Sequence, residues 1–360
     1  MFSAVANHFL STDADKHFAH RSLEEADLIY GGTGNTGTAG RIVNEAENRG
    51  LDLANLTFSD IESEDQLHEV GDKIEGKRLF YRHKFFSDAD NVEEKIDILE
   101  GLNILKEEYD VELINDPLTA MAHDSKTIGN KLIEENLSST AARTTEQYNS
   151  SEAREKVENR PLVLKPDEGM CGDEVVKAES VEEIDSYLEG KDEEEVVFEE
   201  YIPHDLDLSD RPDELDEDVY EEILDDYGKQ MTDGRAYIVD GEVAADTARE
   251  NDEGLATNLA KGGAYTDPDV LNTEQEAALA EAAEGLDFAA VDYVQTEDEL
   301  IIYEVNATPG TNYEDEVGGL IEPLVDMLDT DKKEPAYDEL TIEAGVTPNS
   351  PNYTQKSAKA

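Results

Sequence analysis

The chain has 360 residues, and its 90 Asp and Glu against 29 Lys and Arg leave a formal net charge of −61, with one cysteine and no tryptophan. At ~100–200 residues per domain there is room for two or three compact units, and cations this scarce argue against sequence-independent nucleic-acid binding and against a role on an anionic membrane surface. Cys171, being alone, excludes a disulfide framework and a cysteine-based zinc site, and no stretch approaches the ~20 apolar residues of a membrane span.

High charge with few aromatics is also a signature of disorder, but the hydrophobic residues, 38% of the chain, fall in short β-rich runs. The economical expectation is a folded, soluble, cytoplasmic protein whose carboxylate-covered surface suits a high-salt cell. The N-terminus shows no basic patch followed by an apolar core.

Near the start, His17 and His20 stand at HxxH spacing beside Asp13 and Asp15, a set that either holds a metal or is simply solvated. Residues 1–110 read as a small α/β unit. "DLIYGGTG" at 27–34 is a strand running into a glycine turn, with a helix expected at 38–50. Gly32, Gly34 and Gly37 have dinucleotide spacing. No clean βαβ continuation follows, so a bare strand-to-helix connection competes with a nucleotide turn. "GKRLFYRHKFF" at 76–86 is the one basic island, with Lys77, Arg78, Arg82, His83 and Lys84. It serves either an anionic substrate or partner tail, or internal salt bridges.

"HDSKTIGNKLIEEN" at 123–136 reads as a helix capped by Asp124, with Lys126 in its first turn. A cation there opposes the helix dipole and calls for an anion, which a ligand phosphate would supply. "PLVLKPDEGMCGDEVVK" at 161–177 places Lys165 at the end of an apolar strand, before a loop with Gly169 and Gly172 whose amides can cover phosphates. "VVFEEYIP" at 196–203 is a strand whose end can meet an adenine edge, with Glu199 or Glu200 accepting from an amine or ribose hydroxyl. Residues 204–232 form an acidic insertion with helical spacing of Val219, Ile223 and Leu224, a lid or a surface elaboration.

The last informative pieces are "FAAVDYV" at 288–294 and "LIIYEVNATPG" at 300–310. Glu304 and Asn306, two apart on a strand, share a face, and a hairpin would bring Asp292 to within about one residue of the position opposite Glu304. Two carboxylates and an amide oxygen form the hard ligand set that Mg²⁺ prefers; three polar residues on a solvated strand face are the plainer alternative. Beyond 331 the apolar periodicity fades into a flexible tail, 331–360.

Taken in order, "INDPLTAMAHDSK", "LVLKP", "FEEYIP", "DGRAYIVDGEVAADTAR", "ATNLAKGGAY", "AAVDYV" and "YEVNATPG" make residues 114–329 resemble the ATP-grasp superfamily, nearest the ribosomal-protein glutamate ligase and glutathione synthetase branch. The resemblance implies an α+β fold in which two subdomains, 111–195 and 196–330, sandwich ATP after a pre-ATP-grasp domain at 1–110. By position it implies that Lys126 and Lys165 contact phosphates, with Gly169 and Gly172 in the phosphate loop. Glu199, Glu200, Tyr201 and Ile202 would form the adenine hinge, and Asp233 would lie near the ribose or another part of the nucleotide. Asp292, Glu304 and Asn306 would hold one or two Mg²⁺, with Mn²⁺ an alternative. Arg249 and Asn258 would approach the transferred phosphate and the acyl phosphate as catalytic residues, with Lys261, before Gly262 and Gly263, where the family commonly has a basic residue.

Two departures stand out: Ala256 replaces an arginine of close relatives, and Glu174 replaces a third loop glycine. The implied activity is ATP-dependent carboxylate–amine ligation through an acyl phosphate, releasing ADP and phosphate. The amine or carboxylate partner would be an amino acid, a peptide or a protein tail, and a homo-oligomer is compatible with this. The alternatives are an ATP-grasp carboxylase or phosphotransferase, or an inactive nucleotide-binding scaffold.

Overall fold

The computed structural model describes residues 22–31, 37–56, 61, 63–82, 92–167, 174–202, 232–250, 264–266, 271–296, 299–311 and 319–329, excluding the side chains of 92–95, 232, 249–250 and 264–266. The HxxH pair, the glycine turn at 32–36, Cys171, Ala256, nearly all of the 204–232 insertion and the 331–360 tail lie outside them. Two compact units are present: Met1–Met121 with Gly285–Ala289 and Ala307–Ala360, and Ala122–Glu284 with Ala290–Asn306.

The first unit is built on a four-stranded parallel sheet in the order β2-β1-β3-β4, from β1 (Leu28–Gly31), β2 (Leu53–Leu56), β3 (Arg78–Tyr81) and β4 (Glu112–Ile114). The run "LIYG" is buried along its whole length, as a strand covered on both faces must be. Helix α1 (Gly37–Arg49) buries Thr38, Ala39, Ile42, Val43 and Ala46, one face at helical spacing. The βαβ continuation that the sequence did not show is therefore present. Its second strand is only "LANL", too short and too poor in β-branched residues to announce itself.

Helix α2 (Glu64–Ile74) is capped by Ser63 and approaches α3 (Val92–Tyr109) closely, since a Cβ on Gly71 would stand 2.4 Å from the Tyr109 ring. The buried amide of Asn115 donates to the carbonyls of Phe288 (2.7 Å) and Ala307 (2.9 Å) and accepts from Phe288 N (2.8 Å), which ties the returning segments to this sheet.

This unit settles the basic island. Lys77 Nζ donates to the carbonyls of Leu23, Glu24 and Ala26, each at 2.9 Å. Arg78 is buried, paired with Glu112 at 2.5 Å and bonded to Met327 O at 2.6 Å. Arg82 donates to the carbonyls of Thr308 and Pro309 and lies over the rings of Phe80 and Phe288. These three cations are used internally, because buried carbonyls and carboxylates need donors. The anionic-substrate reading fails for them; His83 and Lys84 lie outside the described residues.

The second unit holds two sheets. One has the order β6-β9-β7-β8, from β6 (Gln147–Tyr148), β9 (Val196–Glu200), β7 (Leu162–Pro166) and β8 (Val176–Ala178). Its apolar face packs Leu162, Leu164, Val196 and Phe198 against α6 (Ser150–Lys156) and α7 (Val181–Leu188) through Ala153, Val157 and Ile184.

The other sheet has the order β12-β11-β10-β13-β14-β5, from β12 (Ala264–Thr266), β11 (Glu242–Glu250), β10 (Thr232–Val239), β13 (Phe288–Gln295), β14 (Leu300–Asn306) and β5 (Ala142–Thr144). Helices α5 (Lys126–Asn136) and α8 (Thr273–Ala282) belong to this unit, α4 (Pro117–Asp124) runs into it from the first, and α9 (Ile321–Leu328) belongs to the first. Among the described residues no helix is long and apolar enough to cross a membrane.

Candidate nucleotide and metal site

Residues 142–148 link the two sheets of the second unit: β5 pairs with β14, and three residues later β6 pairs with β9. Between them, buried Thr145 donates its amide to Ile302 O at 3.1 Å and its hydroxyl to Glu199. Asn130 of α5 donates to Thr145 O at 3.1 Å. The site assembles around this strip.

On β7, alternation sends Leu162 and Leu164 into the apolar core and leaves Val163 and Lys165 on the other face. Lys165 stands opposite Val197, so Glu199 is its diagonal neighbour on the same face, and the ammonium pairs with that carboxylate. Lys165 is 7% exposed and Glu199 3%, a burial that two opposite charges tolerate only as a pair.

Lys126 is the first residue of α5. The cap is Ser125, whose hydroxyl accepts from Ile128 N at 3.2 Å, and not Asp124, which ends the preceding helix α4. Burial pulls the Lys126 ammonium below its ordinary pKa. The charge of Glu304 opposes this, Lys165 adds to it, and Asp167 and Glu199 oppose it more weakly. Both lysines and the β14 carboxylate thus share one electrostatic neighbourhood. The anion expected at the start of α5 is supplied by the protein, because Asp167 accepts from Thr127 N at 2.7 Å and Ser125 Oγ at 2.8 Å.

The β13–β14 hairpin sets Asp292 directly opposite Glu304, with a bulge after Asp292, and sets Ala290 opposite Asn306. Asp292, Glu304 and Asn306 therefore lie on one face. Asp292 is 4% exposed and gripped bidentately by Arg235 of β10, Nε to Oδ1 and Nη2 to Oδ2, both 2.6 Å. Burial alone would lower the Arg235 pKa; Asp292 first, then Tyr237 and Glu304, hold it well above the usual value. Among the described residues no three His, Cys, Asp or Glu side chains form a metal cluster. The set here is two carboxylates and an amide.

At the end of β9 the Glu200 carboxylate accepts from Arg143 (2.5 and 3.4 Å) and from Glu146 N (2.9 Å), while Arg143 also pairs with Glu299 at 2.9 Å. The Glu199 and Glu200 carboxylates are thus engaged inside the protein. Tyr201 has Lys177 Nζ 4.7 Å above its ring, and Ile202 is buried. Asp233 is fully buried and accepts from the Tyr303 hydroxyl, joining β10 to β14 across β13.

Arg249 lies in β11, its backbone opposite Tyr265, with its side chain outside the description. Gly169, Gly172, Asn258 and Lys261 lie outside the described residues. Glu174 has φ +58°, the left-handed conformation that a glycine adopts freely; Lys191 pairs with its carboxylate at 2.5 Å and Tyr187 donates to its carbonyl at 2.8 Å.

Sequence reasoning missed Arg235, Asp167, Arg143, Thr145 and Asn130. Arg235 stood within the quoted "DGRAYIVDG" run, and strand alternation could have offered it to Asp292. The "ARTTEQY" strip carries no motif.

Residues 213–322 match the RimK-like ATP-grasp domain family. The tetrahydromethanopterin:alpha-L-glutamate ligase of Methanocaldococcus jannaschii is 34% identical over 90 residues, 25% of this chain. The match spans only 31% of that relative's own length. The ATP-grasp ligase PsnB, solved with a precursor variant, Mg and ADP, superposes with a TM-score of 0.59 at 15% identity over 86% of this chain and 99% of its own. The D-alanine–D-alanine ligase of Bacillus anthracis, solved with ATP, gives 0.52 at 17% identity over 83% and 94%. The chain has the ATP-grasp fold, and its residues 213–322 carry the likeness to the RimK-like branch of that superfamily.

Proposed function

We propose that the protein is an ATP-dependent carboxylate–amine ligase: a substrate carboxylate attacks the γ-phosphate of ATP, and an amine then displaces phosphate from the acyl phosphate. The observation that carries this reading is the direct register of Asp292 with Glu304, with Asn306 on the same face, in electrostatic reach of Lys126 beside Lys165.

Two carboxylates and an amide oxygen fit Mg²⁺, a hard cation that takes oxygen ligands, and Arg235 holds Asp292 through both of its oxygens. When bound there, the ion would offset charge on the phosphates. Arg235 fixes the orientation of Asp292. Lys126 and Lys165 neutralise the polyphosphate, and both are held by buried partners, so no reorganisation is needed as charge develops. The backbone at Tyr201–Ile202 meets adenine. Arg249, Asn258 and Lys261 are assigned to the transferred phosphate, and Gly169 and Gly172 to its cover.

In this reading the sheet containing β7 and the sheet containing β14 are the two subdomains. The acceptor is an amino acid, peptide or protein tail, and the setting is the cytoplasm of a high-salt cell. The test is ADP release across a panel of amino acids and dipeptides in molar KCl. Glu304→Gln is expected to abolish Mg²⁺-dependent ADP formation; native protein that forms no ADP with any acceptor would leave only a scaffold, and bicarbonate dependence or a stable phosphorylated product would mean a different transfer.

A further inference from the structure

Asp167 follows Lys165 by two residues, at the end of β7, and is 7% exposed. Its carboxylate accepts from Ser125 Oγ (2.8 Å) and Thr127 N (2.7 Å), its carbonyl accepts from Lys126 N (3.1 Å) and Lys126 Nζ (3.3 Å), and its own amide donates to Glu195 O (2.9 Å). One residue therefore holds the cap and the first two positions of α5. The opening amides of a helix have no partners within it; here Ser125 takes that of Ile128 and Asp167 that of Thr127. A carboxylate at that end also complements the helix dipole and the Lys126 charge.

We propose that Asp167 is a positioning residue for nucleotide binding: by capping α5 from the end of β7 it holds Lys126 and Lys165 at the spacing a bound polyphosphate requires. This rests on the nucleotide-site reading above. The lysines are like charges, and an unpinned α5 would let Lys126 move away from Lys165. With Asp167 in place, Lys126 is bonded to a residue only two positions beyond Lys165, so the separation of the two is set by about 7 Å of strand and a short set of hydrogen bonds. Because a protein carboxylate already takes the Thr127 amide, the start of α5 offers a phosphate the Lys126 ammonium rather than that amide.

The test is the affinity for MgADP, measured by titration calorimetry in molar KCl on the full chain. Asp167→Ala is expected to weaken binding by about tenfold, the loss of a charge-assisted cap, with the KM for the acceptor unchanged. Asp167→Asn, which keeps an oxygen for Thr127 N, is expected to recover most of the affinity. Asn149→Ala removes the cap of α6 in the same unit and is expected to lower the melting temperature without changing MgADP affinity.

A folded Asp167→Ala protein binding within about twofold of native, or an equal loss in Asn149→Ala, overturns the proposal. Should Asp167→Ala not fold, Asp167→Glu decides: its longer reach displaces the cap, so affinity weaker by about threefold supports the proposal and unchanged affinity overturns it. Native protein that fails to bind MgADP would instead remove the nucleotide site itself.

Discussion

Asp287 shows how a single half-buried carboxyl tunes this protein. Burial above all, then Glu112, pushes its pKa up to about 7 from 3.8, against the pull of Arg78. A carboxyl that holds its proton more tightly folded than unfolded contributes stability that is complete below about 3.8 and lost as pH climbs through 7. Asp287→Asn should lack this dependence. In urea unfolding at constant KCl, the variant should gain on the native protein between pH 5 and pH 8; a gap that stays constant would show that Asp287 titrates normally. Asp246, pushed up to about 6 by burial although the Tyr293 hydroxyl donates to it, acts with the same sign.

Among the elements, β10 and β13 depend on one absent side chain. A Cβ at Gly234 would lie 2.3 Å from Cζ of Tyr293, whose hydroxyl is bonded to Asp246 at 2.8 Å, so the ring has little freedom to withdraw. Gly234→Ala should cost roughly 1–3 kcal/mol of stability in denaturant unfolding, as overpacked cores do; an unchanged midpoint would mean that the ring yields. The β13–β14 hairpin was legible because strand alternation and a short polar turn fix which residues face each other. The helix at Lys126 was legible in place but not in its cap, because Asp124 and Ser125 are both good caps and only the end of α4 decides between them. Asp167 and Arg143 were not legible, since the groups that the Asp167 carboxylate accepts from and the carboxylates that Arg143 pairs with lie 40 or more positions away. The basic island carried two readings that composition cannot separate; the carbonyls that Lys77 serves are visible only in three dimensions.

Across the whole molecule, 29 cations face 90 acids. Among the described cations, Arg143, Lys165 and Arg235 each pair with a carboxylate that would otherwise be buried alone, and buried Arg78 pairs with the half-buried Glu112. The remaining acids repel one another over about 10 Å in 0.1 M salt but only about 3 Å in 1 M. The melting temperature should therefore rise steeply between 0.1 M and 2 M KCl. A flat profile would show that the surface charge does not limit stability.

The strip at 142–148 is bonded to one sheet through its first three residues and to the other through its last two. Pulling those layers straight apart would rupture a ladder, and swinging them about the strip would have to break the bonds from Asp167 to Ser125, Lys126 and Thr127. Thr145 sits on that axis, like a pin through the spine of a book. The binding is sewn along the strip and clasped again at Asp167.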